Sequence, residues 1–408
     1  MRTPEFTTEE RCLDPRLRIA LVTETYPPEV NGVAMTLQRM VAGLLRRGHH
    51  VQLIRPHQHP AEVALQVEGF EEMLVRGLRL PRYDGLRFGL PAKAMLIRAW
   101  SRQRPDLVHV ATEGPLGWTA ISAARKLHLP VTSDFHTNFD HYSEHYGLGC
   151  LRQPVAAYLR RLHNRTVSTY VPTVEMAQAL RARGHARVEV VSRGVDSALF
   201  SPARRCAALR ASWGLGSAAD AGPALISVGR LAPEKNLALV LRTHAAVRAQ
   251  RPQARLIVVG DGPLREALRR ECPQAILCGM RMGEDLAAHY ASADLFLFPS
   301  LTETFGNVTL EAMASGLCPV VYDYAAASEV VRDHENGLSA ARGDEAAFIA
   351  RAVQAACDDG LRARLGARAR VSAEARDWER VHDEFSAALI RAWRGRPAEG
   401  TCGGSAGS

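Results

Sequence analysis

Short, almost wholly apolar runs alternate along this chain with stretches in which apolar positions recur every three or four residues. Residues 17–22 read as a buried strand, a helix pattern runs from about Met35 to Arg47 until Gly48 stops it, and His50-Val-Gln-Leu-Ile54 reads as the next strand. Strand, helix, strand in that order is a βαβ unit, which calls for a parallel sheet. The pattern continues through helix 92–102, strand 107–110, helix 117–127 and strand 131–135, with strands near 167–171 and 188–191 closing a first domain. Ser192-Arg-Gly-Val-Asp-Ser-Ala-Leu-Phe-Ser-Pro202 has turn chemistry and leads into a polar, alanine-rich linker with Gly214, Gly216 and Gly222. A second series then places strands at 224–228, 255–259, 275–278, 294–298 and 318–321, with helices between them and a last amphipathic helix over 377–393. The expectation is an α/β chain of two parallel-sheet domains, 17–195 and 196–376, flanked by disordered tails at 1–16 and 395–408. Solenoid-type repeats are absent from the sequence.

Composition narrows the class. A chain of 408 residues with 47% hydrophobic and 23% charged residues suits two globular domains. Its eight cysteines lack C-x-x-C spacing, which predicts neither a disulfide framework nor a zinc site and fits a reduced, cytoplasmic protein. The N-terminus is polar, and no apolar run reaches the roughly 18 residues of a membrane span, so any membrane contact is expected to be peripheral. A formal charge of +8 suits anionic lipid or phosphorylated substrates; charge alone speaks for nucleic acid, and no nucleic-acid partner is expected. Segment 151–167, with Arg152, Arg160, Arg161 and Arg165 set among Leu151, Val155, Tyr158 and Leu159, predicts a basic amphipathic helix. That face is either simply solvated or seated among anionic headgroups.

The stretch Leu301-Thr-Glu-Thr-Phe-Gly-Asn-Val-Thr-Leu-Glu311 carries the densest chemistry. It follows a strand, turns at Phe305-Gly306-Asn307 and enters a helix whose unpaired first amides and dipole favour an anion. Glu303 and Glu311 flank that site; in a fully helical arrangement they would stand about 12 Å apart, too far to act on one bond, so they suit opposite ends of a long ligand. In Ser227-Val-Gly-Arg-Leu-Ala-Pro-Glu-Lys-Asn236, Arg230 and Lys235 share one strand-to-helix loop, where two fixed cations can neutralise a departing diphosphate or merely face solvent. Val259-Gly-Asp-Gly-Pro-Leu-Arg265 has a G-x-G after a strand, yet Arg265 stands where a dinucleotide fingerprint needs its third glycine, so a structural turn is expected. The run Asp134-Phe-His-Thr-Asn-Phe-Asp-His-Tyr-Ser-Glu-His-Tyr146 offers His136, His141 and His145 with Asp140 and Glu144 as a metal cluster, but its polar aromatics suit the wall of a sugar-binding cleft better. D-x-D, the Walker loop, G-x-S-x-G and H-E-x-x-H are all missing from the sequence.

Taken in order, Asn31-Gly32-Val33, His136, Gly229-Arg230 with Lys235, Glu303-x7-Glu311 and the final helix around Trp378 resemble retaining glycosyltransferases of family 4, with the GT-B fold. The resemblance spans nearly the whole chain. It implies two Rossmann-like domains facing across a cleft, with the last helix crossing back onto the first. It also implies that Gly32 approaches the donor phosphates, Gly229, Arg230 and Lys235 bind the diphosphate, and Glu311 holds the ribose. Glu303, with Phe305, Gly306 and Asn307, would hold the transferred sugar; His136 would sit by its distal hydroxyls, and Gly279 and Met280 beside the base. On the acceptor side stand Tyr26, His136, Asn138, His141, Tyr142 and His145. The wider histidine-rich segment looks most like GDP-mannose-dependent α-mannosyltransferases acting on glycolipids, with sulfoquinovosyl-lipid synthases as more distant kin. Asn31 stands where a glycine is commoner.

The expected catalytic set is therefore His136, Arg230, Lys235 and Glu303, acting without a metal or other cofactor on a nucleotide sugar and a lipid or glycolipid acceptor. A front-face displacement is expected, since the sequence marks no carboxylate nucleophile at glycosidase spacing. Mannose from GDP-mannose is the first expectation, with UDP-glucose, UDP-galactose and UDP-glucuronate behind it. The protein is expected in the cytoplasm, at the inner face of the membrane. An NAD-dependent oxidoreductase resting on Gly260 and Gly262, or a non-catalytic carbohydrate- or lipid-binding protein, are the alternatives.

Overall fold

A computed structural model describes residues 15–29, 31–59, 61–79, 87–136, 152–216 and 222–395. Sixteen strands stand among them. They are β1 (Arg18–Val22), β2 (His50–Pro56), β3 (Gln66–Val67), β4 (Phe70–Val75), β5 (Gly77–Arg79), β6 (Arg87–Gly89), β7 (Leu107–Val110), β8 (Val131–Asp134), β9 (Ser168–Val171) and β10 (Val188–Val190), followed by β11 (Ala224–Val228), β12 (Arg255–Val259), β13 (Ile276–Gly279), β14 (Leu295–Phe298), β15 (Cys318–Tyr322) and β16 (Leu338–Ala340). One sheet has the order β10-β9-β8-β7-β1-β2-β4-β3, a second has β13-β12-β11-β14-β15-β16, and β5 with β6 forms a separate hairpin. The chain divides into two compact units, one of Met1–Ser133 with Ser386–Ser408 and one of Asp134–Phe385.

Apart from the antiparallel edge pair β3–β4, the pairings described for both large sheets are parallel, and each sheet has a central strand from which the chain departs in opposite directions. β1 pairs in parallel with β2 on one side and β7 on the other. β11 does the same with β12 and β14. Such a reversal leaves a crevice at the carboxyl ends of the two central strands, because their following loops turn away from each other. The second sheet shows why its strands read as unbroken apolar runs. Ile226, Ile257, Phe296 and Val321 enter one core, while Leu225, Leu256, Leu295 and Val320 enter the other, so both faces are covered.

Several sequence expectations shift by a few residues. The first helix spans Gly32–Arg46, starting earlier than Met35 because Asn31 caps it: its Oδ1 accepts from the amides of Val33 and Ala34 at 3.1 and 2.9 Å. The basic helix is shorter than 151–167. It spans Arg152–His163 and turns after His163, so Arg165 lies outside it, while Leu159 and Leu162 are buried. The last helix is Trp378–Arg394. β4 went unread because Phe70-Glu-Glu-Met-Leu-Val carries two carboxylates mid-strand; Glu71 accepts from Gln52 at 2.9 Å and Glu72 from Arg55 at 3.0 Å. Among the described residues, no helix is long and apolar enough to cross a membrane.

Candidate active site

In the second sheet the loops that follow β11, β14 and β15 are tied to one another at the carboxyl ends of their strands. The carbonyl of Glu234 accepts from the amide of Leu301 at 2.9 Å and from the Ser300 hydroxyl at 3.2 Å, joining the first loop to the second. Tyr324 donates its hydroxyl to the Glu303 carbonyl at 3.3 Å, and the amide of Ala326 donates to the Phe305 carbonyl at 2.8 Å, joining the second to the third. Lys235 and Glu303, carried by the two loops that flank the reversal, form an ion pair. The Lys235 ammonium also stands 5.4 Å from the centre of the Phe298 ring. Arg230, in the same loop as Lys235, is exposed and has no ion pair among the described residues.

Gly306 adopts φ 93° and ψ 61° at the N-terminus of helix Asn307–Ala314, a left-handed corner that suits glycine and re-aims the chain from loop to helix. Glu303 therefore lies in the loop and Glu311 in the helix, so the two carboxylates are not joined by eight helical steps. Phe305 is buried beneath the turn. The Asn307 Oδ1 is buried without a hydrogen-bond partner, an arrangement that costs free energy unless a ligand group completes it. Glu311 is met by Tyr290, whose hydroxyl donates to its Oε2 at 3.0 Å.

His136 follows β8 and is 7% exposed. Its carbonyl accepts from the Thr304 hydroxyl at 2.7 Å, which places it beside the Glu303 loop. Arg193 donates to His136 Nδ1 at 3.3 Å, and an arginine can only donate, so Nδ1 is the acceptor and Nε2 carries the proton given to Asp134 at 3.0 Å. Burial pushes the Arg193 guanidinium down, and the charge of Asp134 opposes that shift. Asp134, Arg193, Tyr290 and Tyr324 were absent from the expected set. Arg193, Tyr290 and Tyr324 act on partners 21 or more residues away and belong to no local motif, whereas Asp134 stands two residues before His136, and that spacing could have pointed to it.

The G-x-G turn is structural. A Cβ on Gly260 would stand 1.9 Å from the Gly229 carbonyl oxygen, and one on Gly262 would stand 2.5 Å from that of Leu231. The two glycines thus let the loops after β11 and β12 lie backbone to backbone, and their open faces are filled by protein. Gly279 ends β13 with φ 73°, followed by Met280, which is 55% exposed.

In the other unit, Gly32 opens its helix with nothing within 4 Å of where a Cβ would stand. Nothing in the chain around it requires a glycine. Asn31 also donates to the Thr25 hydroxyl at 2.7 Å, which fixes the loop after β1 and accounts for an asparagine at that position. Tyr26, half-buried in that loop, has its hydroxyl pushed up to about 12 by burial and by Glu72, with Arg55 opposing. Glu24, missed from the sequence, is 7% exposed and accepts from the amide of Leu116 at 3.0 Å. Asn138, His141, Tyr142 and His145 lie outside the described residues, as do Asp140 and Glu144, residues 1–14 of the first tail and 396–408 of the second. Among the described residues, no group of three or more His, Cys, Asp or Glu is placed to hold a metal ion.

Comparison with known proteins places this geometry in a lineage. A family model described as Glycosyltransferase Family 4 matches residues 30–199, and one described as Glycosyl transferases group 1 matches residues 222–359. The GDP-mannose-dependent alpha-mannosyltransferase of Mycolicibacterium smegmatis is 35% identical over 376 residues, covering 90% of this chain and 96% of that protein. The alpha-monoglucosyldiacylglycerol synthase of Streptococcus pneumoniae is 28% identical over 318 residues, covering 75% of this chain and 70% of that protein. Among solved structures, sucrose-phosphate synthase from Thermosynechococcus elongatus matches with a TM-score of 0.76 over 93% of this chain and 100% of that one, at 18% identity, a likeness of fold.

Proposed function

We propose that this chain, which belongs to the family 4 glycosyltransferases and has the GT-B fold, moves a hexose from a nucleoside diphosphate sugar to a hydroxyl of a lipid or glycolipid. The observation that carries this reading is the Lys235–Glu303 pair at the reversal of the second sheet. It sets a cation suited to a phosphate beside a carboxylate suited to a sugar hydroxyl, next to a helix N-terminus and the unpartnered Asn307 Oδ1. Lys235 and Arg230 neutralise the diphosphate as it leaves, the task a metal performs in other transferases. Glu303 and Asn307 hold the sugar, Glu311 the ribose, and the Gly279–Met280 corner the base. Open space before Gly32 suits a ligand that approaches the N-terminus of its helix.

Anomeric configuration is retained by front-face displacement. His136 gives its Nε2 proton to Asp134 and takes a hydrogen bond at Nδ1, so it has no lone pair to spare for the acceptor's proton. That favours a departing phosphate oxygen as the proton acceptor, with His136 acting through its place beside the Glu303 loop. GDP-mannose is the donor favoured by the mannosyltransferase relative, and a diacylglycerol-based acceptor is favoured by the lipid-synthase relative. The exposed Arg160 and Arg161 of helix Arg152–His163 suit a peripheral stance at the inner, anionic face of the membrane.

Melting the intact chain with GDP, UDP, ADP and their sugars tests the donor, since a ligand at 100 times its Kd adds about 2.7 kcal/mol. GDP and GDP-mannose are expected to give the largest shifts. Transfer of labelled mannose to glycolipid vesicles is then expected to persist in excess EDTA and to fall roughly 100-fold in Lys235→Ala, with a cooperative melt retained. Absence of a shift with every nucleotide, or undiminished transfer by Lys235→Ala, would defeat the proposal.

A further inference from the structure

We infer that Tyr290 is a positioning residue for the nucleotide ribose: its hydroxyl holds the carboxylate of Glu311 in the orientation that receives the ribose hydroxyls. This rests on the reading of Glu311 given above. Tyr290 lies in the last turn of helix Gly283–Ser292 and is fully buried. Phe200 meets its ring edge-on at 5.7 Å between centres, and Phe296 lies tilted against it at 6.1 Å. A phenylalanine would fill that aromatic box equally well, and a buried hydroxyl costs free energy unless it is bonded. The hydroxyl's partner is the Oε2 of Glu311, at 3.0 Å.

The two side chains differ in freedom. Tyr290 has two side-chain torsions, both fixed by packing, whereas a half-buried glutamate has three and samples many rotamers when unheld. A rigid donor on one helix thus helps to orient a longer side chain on another, as a precise binding constellation requires of the residues behind it. Burial and the charge of Glu311 push the Tyr290 hydroxyl well above its ordinary range, so it stays a donor.

Calorimetry on the intact chain tests this with GDP, UDP and ADP, each against its 2′,3′-dideoxy counterpart. The wild type is expected to prefer the ribonucleotide. Glu311→Gln should abolish the preference, and Tyr290→Phe should lower it roughly tenfold while binding the dideoxy form as the wild type does. Unchanged affinity of Tyr290→Phe for the dideoxy form is the internal check that the tyrosine variant is folded. If Glu311→Gln loses the preference and Tyr290→Phe keeps it, the inference fails and the role of Glu311 stands. If Tyr290→Phe weakens both forms equally, the tyrosine is structural and the inference fails. If Glu311→Gln keeps the preference, or the wild type has none, the ribose assignment falls and the inference with it.

Discussion

Glu24 is a carboxyl held where a carboxylate is costly. It stands in the loop after β1 beside the N-terminus of helix Pro115–Lys126, and a Cβ on Gly114 would come within 1.9 Å of its Oε2, so glycine is needed for it to fit. Burial pushes its pKa from 4.5 up to about 7; the Leu116 amide opposes the shift and Glu113 adds to it. The folded chain therefore keeps a proton that the unfolded chain has released. The associated stability is fully present below pH 4.5, is lost as pH rises to about 7, and stays lost above that. A glutamine in place of Glu24 would keep an oxygen for the Leu116 amide and carry no charge. Glu24→Gln should thus match the wild type in urea unfolding near pH 4.5 and exceed it by on the order of 2–3 kcal/mol at pH 8. A gain of equal size at both pH values would mean that the carboxyl is ionised throughout.

At the scale of elements, glycine corners were legible and an alanine corner was not. Gly306 and Gly260 mark their turns in the sequence because φ of 93° and 135° ask for glycine. Ala325 takes φ 55° and ψ −127°, the first-corner geometry of a type II′ turn, inside an Ala-Ala-Ala run with no glycine to mark it. Its amide donates to Glu175 at 3.3 Å and the next amide to the Phe305 carbonyl, so the corner is held by the loop that carries Glu303. Strain of roughly 1–3 kcal/mol outweighs the entropy that a glycine adds to the unfolded chain. Ala325→Gly should therefore raise the urea midpoint by an amount equivalent to about 1 kcal/mol, and a lower midpoint would show that the corner is unstrained. The same distinction separates what the sequence yields from what it hides. Strands apolar on both faces, the Gly306 turn and the Glu303–Glu311 spacing are local patterns, and so they could be read. β4, with Glu71 and Glu72 satisfied by Gln52 and Arg55, and the Tyr290–Glu311 and Arg193–His136 contacts depend on partners distant in sequence.

For the molecule as a whole, helix Trp378–Arg394 contributes to the cores of both units, since its residues through Phe385 belong to one and those from Ser386 to the other. In the larger unit Trp378 passes so close to Gly194 that a Cβ there would stand 2.9 Å from its Cα, and the Phe385 ring meets Tyr170 edge-on at 6.0 Å. In the other, the Ser386 hydroxyl and His49 Nε2 share a buried hydrogen bond at 2.7 Å, while Ala388, Leu389 and Ile390 are buried. Burying each large apolar side chain is worth about 1.5–3 kcal/mol. Trp378, Val381, Phe385, Leu389 and Ile390 together therefore rival the ~5–15 kcal/mol net stability of a typical folded domain. A chain ending at Asp377 should keep its secondary structure by far-UV circular dichroism, lose its near-UV signal and cooperative melt, and bind ANS. A truncated chain that melts as sharply and at the same temperature as the full one would show that neither unit needs this helix to complete its core.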